Sequence, residues 1–229
     1  MKNSFAEITE HGVTIHGGKH DDTFFALPLA NDAHCRLSRV VLLANTKQAI
    51  FRIAKSDEQH DKWQLVKSAF PIGEKLNADT HIFDGVEVTN TIGDKCFLMT
   101  ALPKHYANEL ASIGSKLFGI RNLQCLDTVE HMLFQQYAAQ GTGLLWVVFP
   151  QGDGIRILSI YNGLPVAAYN ISNHAEYREA ELMQYLNDKK TAPNRAVILS
   201  NKLDWFCATI ESQDVTAEVK DYKINFARG

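Results

Sequence analysis

The sequence predicts a mixed α/β protein in which helices pack on a sheet core. Residues 144–171 hold three apolar runs separated by Gln151-Gly152-Asp153-Gly154 and Asn162-Gly163. Asp-Gly and Asn-Gly between β-rich runs mark tight hairpins, because those turns need positive φ at their central positions. Further strand-like runs flank this stretch, and capped segments with helical apolar spacing lie between them.

The central stretch is therefore an antiparallel three-strand meander at 144–150, 155–161 and 164–171. Its first strand is apolar at nearly every position, which suits burial on both faces at a sheet centre. Its second alternates more weakly, with Ile155, Ile157 and Ser159 against Arg156, Leu158 and Ile160.

Upstream, residues 4–16 read as a hairpin turning at Glu10-His11-Gly12 and broken by Gly17-Gly18. A strand at 24–29 is stopped by Pro28. Residues 39–44 form a buried strand, expected to pair with 50–53 across Asn45-Thr46-Lys47. From Ser56 to about residue 76 the pattern is helical: Ser56 is an N-cap, and Trp63, Val66, Ala69 and Phe70 share one face. Pro71 ends it. Two strands at 81–88 and 96–102 follow, joined through Gly93-Asp94.

Pro103 opens a helix to Phe118 at a position where a missing N–H costs nothing, and Gly119 caps it. After a short strand at 123–126, Asp127 at the N-cap and Glu130 at N3 launch a helix through Ala139. Beyond the meander, 175–187 form a helix with Tyr177, Leu182, Tyr185 and Leu186 inward. Strands at 195–199 and 205–210 come next, then an alternating run at Val215, Ala217 and Val219.

The 229 residues suffice for a full core without staples. A hydrophobic fraction of 45% and a charged fraction of 21% are those of an ordinary globular protein. The net charge of −3 offers no global attraction to nucleic acid or anionic lipid. Cys35, Cys96, Cys125 and Cys207 are far apart and read as small buried hydrophobes of a reducing compartment. The N-terminus lacks the apolar core of a signal peptide, and no apolar run approaches the ~20 residues that span a bilayer. The chain thus reads as cytoplasmic, with no membrane span inside it.

Each candidate site in the sequence has a plainer structural explanation. His11, His16 and His20 with Asp21-Asp22 are the densest set of potential metal ligands. They flank a Gly-Gly break and alternate between strand faces, so a solvated loop is expected and no metal site is assigned. Asp127, Glu130 and His131 could share a helix face, but capping plus an exposed histidine accounts for them. Ser159, Ser200 and Cys207 lack any nucleophile context, and no Walker A or dinucleotide fingerprint occurs, so no catalytic residue is assigned. Trp63, Trp146 and Trp205 read as core or packing residues.

The order of elements from Val40 onward resembles the actin-like proteins of type IV pilus and type II secretion machines, PilM and the cytoplasmic domain of GspL. The matching pieces are VVLLANTKQAIFRI, WQLVKSAFPIGEKLNADTHIFDGVEV, CFLMTALPKHYANELASIGSKLFGI, NLQCLDTVEHML and the meander, about three-quarters of the length. The resemblance implies an actin-like ATPase (ribonuclease H-like) fold across 1–229. Its core is expected from about 1–80 plus 120–229, with an inserted subdomain at about 81–119. Nucleotide-binding members of the superfamily carry an Asp-x-Gly phosphate loop in the first turn of the meander. Here Gly152, Asp153 and Gly154 hold that place, while the strand end that should be acidic reads Phe149-Pro150, which points to a degenerate nucleotide site. No cofactor is expected.

The resemblance further implies a non-catalytic scaffold on the cytoplasmic face of a bacterial inner membrane. It would dock an assembly or secretion ATPase to inner-membrane platform proteins, with homodimerisation plausible and a transmembrane helix expected shortly after residue 229. The alternatives are an active ATP-binding protein or small-molecule kinase using the loop at 150–154, and an adaptor binding a short peptide between subdomains.

Overall fold

The structure is a computed structural model that describes residues 4–17, 20–55, 70, 76, 78–90, 92–138, 142–172, 174, 176–188, 191–200 and 202–224. Two five-stranded sheets share one plan. In the first, β1 (Ser4–Ile8), β2 (Gly12–His16) and β3 (Phe24–Ala26) form an antiparallel meander, and β4 (Val40–Ala44) runs parallel to β1. The small sheet contributes β5 (Ile50–Lys55), β6 (His81–Thr89) and β7 (Lys95–Pro103) before β8 (Leu123–Thr128) completes the first sheet, parallel to β4.

The second sheet repeats the plan. Strands β9 (Leu144–Gln151), β10 (Gly154–Tyr161) and β11 (Leu164–Ser172) are the meander. The remaining two, β12 (Arg195–Ile198) and β13 (Thr216–Val219), continue parallel to β9. Asn162-Gly163 does what its backbone preferences dictate, with both residues at positive φ. In the first turn the central pair is Gly152-Asp153 rather than Asp153-Gly154; Gly152 alone has positive φ, and Gly154 already belongs to β10. Residues 40–44 and 145–149 are buried throughout because their strands lie inside sheets covered on both faces.

Helix α1 (Lys104–Phe118) covers the outer face of the first sheet, packing Leu110 and Leu117 against Ala6, Ile8 and Leu42. Helix α2 (Val129–Tyr137) contributes Leu133 and Phe134 to the layer shared by both large sheets, with Phe5, Leu43, Val147 and Phe149. On the far face, α3 (Arg178–Asn187) and α4 (Asp204–Glu211) bury Leu182, Phe206 and Ile210 against Trp146, Val148 and Ile157. After β13 the chain turns back, and Ile224 enters the layer between the sheets.

The structure corrects several sequence expectations. Strand β5 does not pair with β4; it joins β7 in the small antiparallel sheet. Short spacing suggested a hairpin, but β4 is already hydrogen-bonded on both edges, to β1 and β8. Residues expected as a strand at 205–210 form α4, because Leu203, Phe206 and Ile210 repeat at helical spacing and face one core. Thr128, not Asp127, caps α2, accepting from the His131 amide at 3.3 Å. Helix α3 begins at Arg178, leaving Tyr177 60% exposed rather than inward. Cys125 is exposed, unlike Cys35 and Cys96. Trp146 is fully buried as expected; Trp63 and most of the helix expected at 56–76 lie outside the described residues.

Candidate functional site

Because the two large sheets share one plan, their first hairpin turns occupy equivalent places and face each other. Gly12 opens β2 and Gly154 opens β10, each at the same step after its turn. A Cβ on Gly12 would lie 2.5 Å from the Phe25 carbonyl oxygen, and one on Gly154 would lie 2.6 Å from that of Ile171. Both glycines therefore let the third strand of their meander close against the second. This equivalence is the sequence signal the N-terminal hairpin offered and sequence reasoning missed.

The turn of β9–β10 brings Gly152 and Asp153 towards the first sheet. Asp153 accepts from Lys47 Nζ at 2.8 Å on the surface, where both side chains are more than half exposed. The pairing raises the lysine and lowers the carboxyl relative to their ordinary values. Glu10, from the opposing turn, places Oε1 3.2 Å from where a Gly152 Cβ would sit. Asn45 Nδ2, at the end of β4, donates to Pro150 O at 3.3 Å.

Beneath the turns lies a buried polar layer. Glu7 Oε1 accepts from Asn45 Nδ2 at 2.6 Å and from the Tyr222 hydroxyl at 2.9 Å, while Oε2 meets His16 Nε2 at 2.7 Å. The Tyr222 ring stacks on Phe149 at 6.3 Å. Burial, then the Glu7 carboxylate, push the Tyr222 hydroxyl well above its ordinary value. Across the layer, Glu130 of α2, fully buried, receives Gln151 Nε2 at 3.0 Å and lies 3.3 Å from Arg156 Nε. The latter is an ion pair without hydrogen-bond alignment, and Arg156 Nε, Glu130 Oε2, Gln151 Oε1 and Asn45 Oδ1 have no hydrogen-bonding partner among the described residues. Arg156 also donates to Asn170 Oδ1 at 2.7 Å and lies over the Phe51 ring. Burial pushes the Glu130 carboxyl upward, opposed by the Arg156 guanidinium and the Gln151 amide.

Several of these groups are engaged with other protein groups in ways that a bound magnesium triphosphate would have to undo. A phosphate cradle needs free amides, a cation and an acid to place the metal. Here Glu10 sets a negative charge against Gly152, Asp153 is neutralised by Lys47, Gly154 serves strand closure, and Phe149 carries the Tyr222 ring.

A second concavity, of about 160 Å³, lies between the small sheet and the junction of β8 with α2. Ile82, Val86, Leu98, Leu102 and Leu126 make it largely apolar, and Asp127 and His131 form its polar end. Both Asp127 oxygens lie 2.8 Å from His131 Nδ1. His131 is 8% exposed rather than solvated, and Glu130 points away to Arg156, so the possible trio of Asp127, Glu130 and His131 is not brought together. His11 lies on the surface 3.5 Å from Glu10 and His20 is exposed, whereas His16 is buried, so the N-terminal histidines separate as well.

No protein-family model matches the chain, and no curated protein matches it. Solved structures do. A Bacteroides thetaiotaomicron protein of unknown function with an actin-like ATPase fold aligns at a TM-score of 0.58 and 9% identity, over 95% of this chain and 90% of that one. The cytoplasmic domain of EpsL, an inner-membrane component of the type II secretion system of Vibrio cholerae, aligns at 0.54 and 7% identity, over 94% and 95%. A PilM–PilN type IV pilus biogenesis complex aligns at 0.60 and 12% identity, over 96% and 88%. The chain has the actin-like ATPase fold.

Proposed function

We propose that this protein is a non-catalytic actin-like scaffold of a bacterial type IV pilus or type II secretion assembly platform. It docks partner segments and leaves energy transduction to a separate assembly ATPase. One observation carries the reading: protein groups engage one another at the facing turns and in the polar layer beneath them. Lys47 pairs with Asp153, Glu10 abuts Gly152, and Tyr222 reaches from the tail to Glu7. The Lys47–Asp153 pair, and Tyr222 on Glu7 and Phe149, tie the two large sheets to each other. The fold likeness to the EpsL cytoplasmic domain and to PilM in its complex with PilN supports the same assignment.

The apolar groove beside β8 is the docking surface this reading favours. Ile82, on its rim, is 45% exposed, and the groove is deep enough to take an aliphatic side chain. The partner is the cytoplasmic segment of an inner-membrane platform protein, which holds this chain at the cytoplasmic face of that membrane. Among the described residues no helix is long and apolar enough to cross a membrane.

Two measurements test the proposal. Isothermal titration with Mg-ATP is expected to show no micromolar binding; micromolar binding abolished by Asp153→Ala would overturn it in favour of an ATP-binding enzyme. Titration with cytoplasmic segments of candidate platform proteins is expected to show binding that Ile82→Glu weakens about tenfold or more, as expected of a central interface residue. Binding that ignores Ile82→Glu removes the groove from the proposal.

A further inference from the structure

Strand β2 ends at His16, and the chain then doubles back along it. Asp22 donates its amide to Ile15 O at 2.8 Å, and Ile15 donates to Thr23 O at 2.9 Å, so the ladder starts before β3. This register returns Asp21 and Asp22 to the side of His16. One potential ligand atom from each of the three residues lies within 4.8 Å of the other two.

The histidine is built for the role. His16 is 3% exposed, and its Nε2 lies 2.7 Å from Glu7 Oε2. A carboxylate oxygen accepts, so Nε2 donates in this contact and Nδ1 is the ring nitrogen left to bind a metal. A carboxylate on the distal nitrogen is how metal-bound histidines are oriented and made more basic. Glu7 is itself held by Asn45 and Tyr222, which fixes the imidazole through a second layer of hydrogen bonds. Asp21 gives Oδ1 to the Gly17 amide at 2.6 Å, leaving its other oxygen for a ligand.

We propose that His16 Nδ1, Asp21 and Asp22 form a binding site for a divalent transition-metal ion of the Zn²⁺ or Mn²⁺ kind. Imidazole nitrogen suits these ions better than Mg²⁺ or Ca²⁺, and two carboxylates match the charge. Metal–ligand bonds of about 2.0–2.2 Å require the donors to draw somewhat closer, a movement the exposed aspartates supply by side-chain rotation. Three protein ligands leave coordination positions open to water. The site uses none of the Lys47, Asp153 or groove residues, so it stands apart from the docking proposal.

The test uses the full chain after chelator treatment. Titration with MnCl₂ and ZnCl₂ is expected to show one site per chain, weakened about tenfold or more in the Asp21→Asn/Asp22→Asn variant. Both substitutions are on exposed side chains, and asparagine accepts the φ of 63° at position 22, so the variant keeps its fold. Mn²⁺ is expected to broaden the amide NMR signals of Ile15, Gly17 and Asp22 before others. Binding that survives in the variant, broadening elsewhere first, or equal affinity for MgCl₂ would each overturn the site.

Discussion

The Tyr222 hydroxyl donates to Glu7 Oε1 at 2.9 Å across 215 residues of chain, tying the C-terminal tail to the first strand. The same ring stacks on Phe149 of β9, so one side chain touches both large sheets. Tyr222→Phe keeps the ring and deletes the hydrogen bond to a buried carboxylate. It is expected to lower stability by about 1.5–3 kcal/mol, read by urea denaturation, with an unchanged slope against denaturant. Tyr222→Ala removes the stacking as well and is expected to cost more.

Arg156 is the only cation within ion-pairing distance of Glu130 among the described residues. Arg156→Leu would leave a buried carboxylate without its counter-charge and is expected to destabilise the protein by about 3–5 kcal/mol. Adding Glu130→Leu to it should recover much of that loss, because replacing both charges by apolar groups removes the desolvation cost.

Burial raises the Glu130 carboxyl above its unfolded value, so in the window between the two the folded state binds the extra proton. Stability from this group is then present below the ordinary carboxylate value and falls as pH rises through the window. Glu130→Gln cannot titrate. The stability of the native protein relative to Glu130→Gln is therefore expected to decline as pH rises above the ordinary glutamate range, measured by denaturation at a series of pH values. A difference that rises with pH would contradict the assignment.

At Gly154 the close approach of the Ile171 carbonyl predicts that Gly154→Ala destabilises by about 1–3 kcal/mol, as overpacking against backbone does. Gly12→Ala should behave alike at the Phe25 carbonyl. Thermal unfolding without any nucleotide reads both, because the glycines serve strand closure.

The cysteines should alkylate in order of access. Cys125 is exposed and Cys207 intermediate, while Cys35 and Cys96 are buried and burial pushes the Cys96 thiol up to about 11. Iodoacetamide at pH 8, followed by mass spectrometry, is expected to label Cys125 first and Cys96 last.

The sequence by itself determined what depends on a few neighbouring residues. The meander at 144–171, the first hairpin and the helix from Lys104 to Phe118 follow from turn dipeptides, a proline at a helix start and a glycine at its end. Their hydrogen bonds close within the segment that encodes them. The order of such elements was enough to suggest the actin-like fold.

Tertiary structure alone decided the partners of groups far apart in the chain. Several apolar strands could have taken β5, and which edge was open depended on β8, encoded many residues later. The helix of α4 was ambiguous because a short apolar run fits either period until a neighbouring core selects one. Glu130 with Arg156 and Glu7 with Tyr222 carry no diagnostic spacing. A buried polar group takes whichever complementary group the packed sheets bring within reach, and that choice exists only once the layers have met.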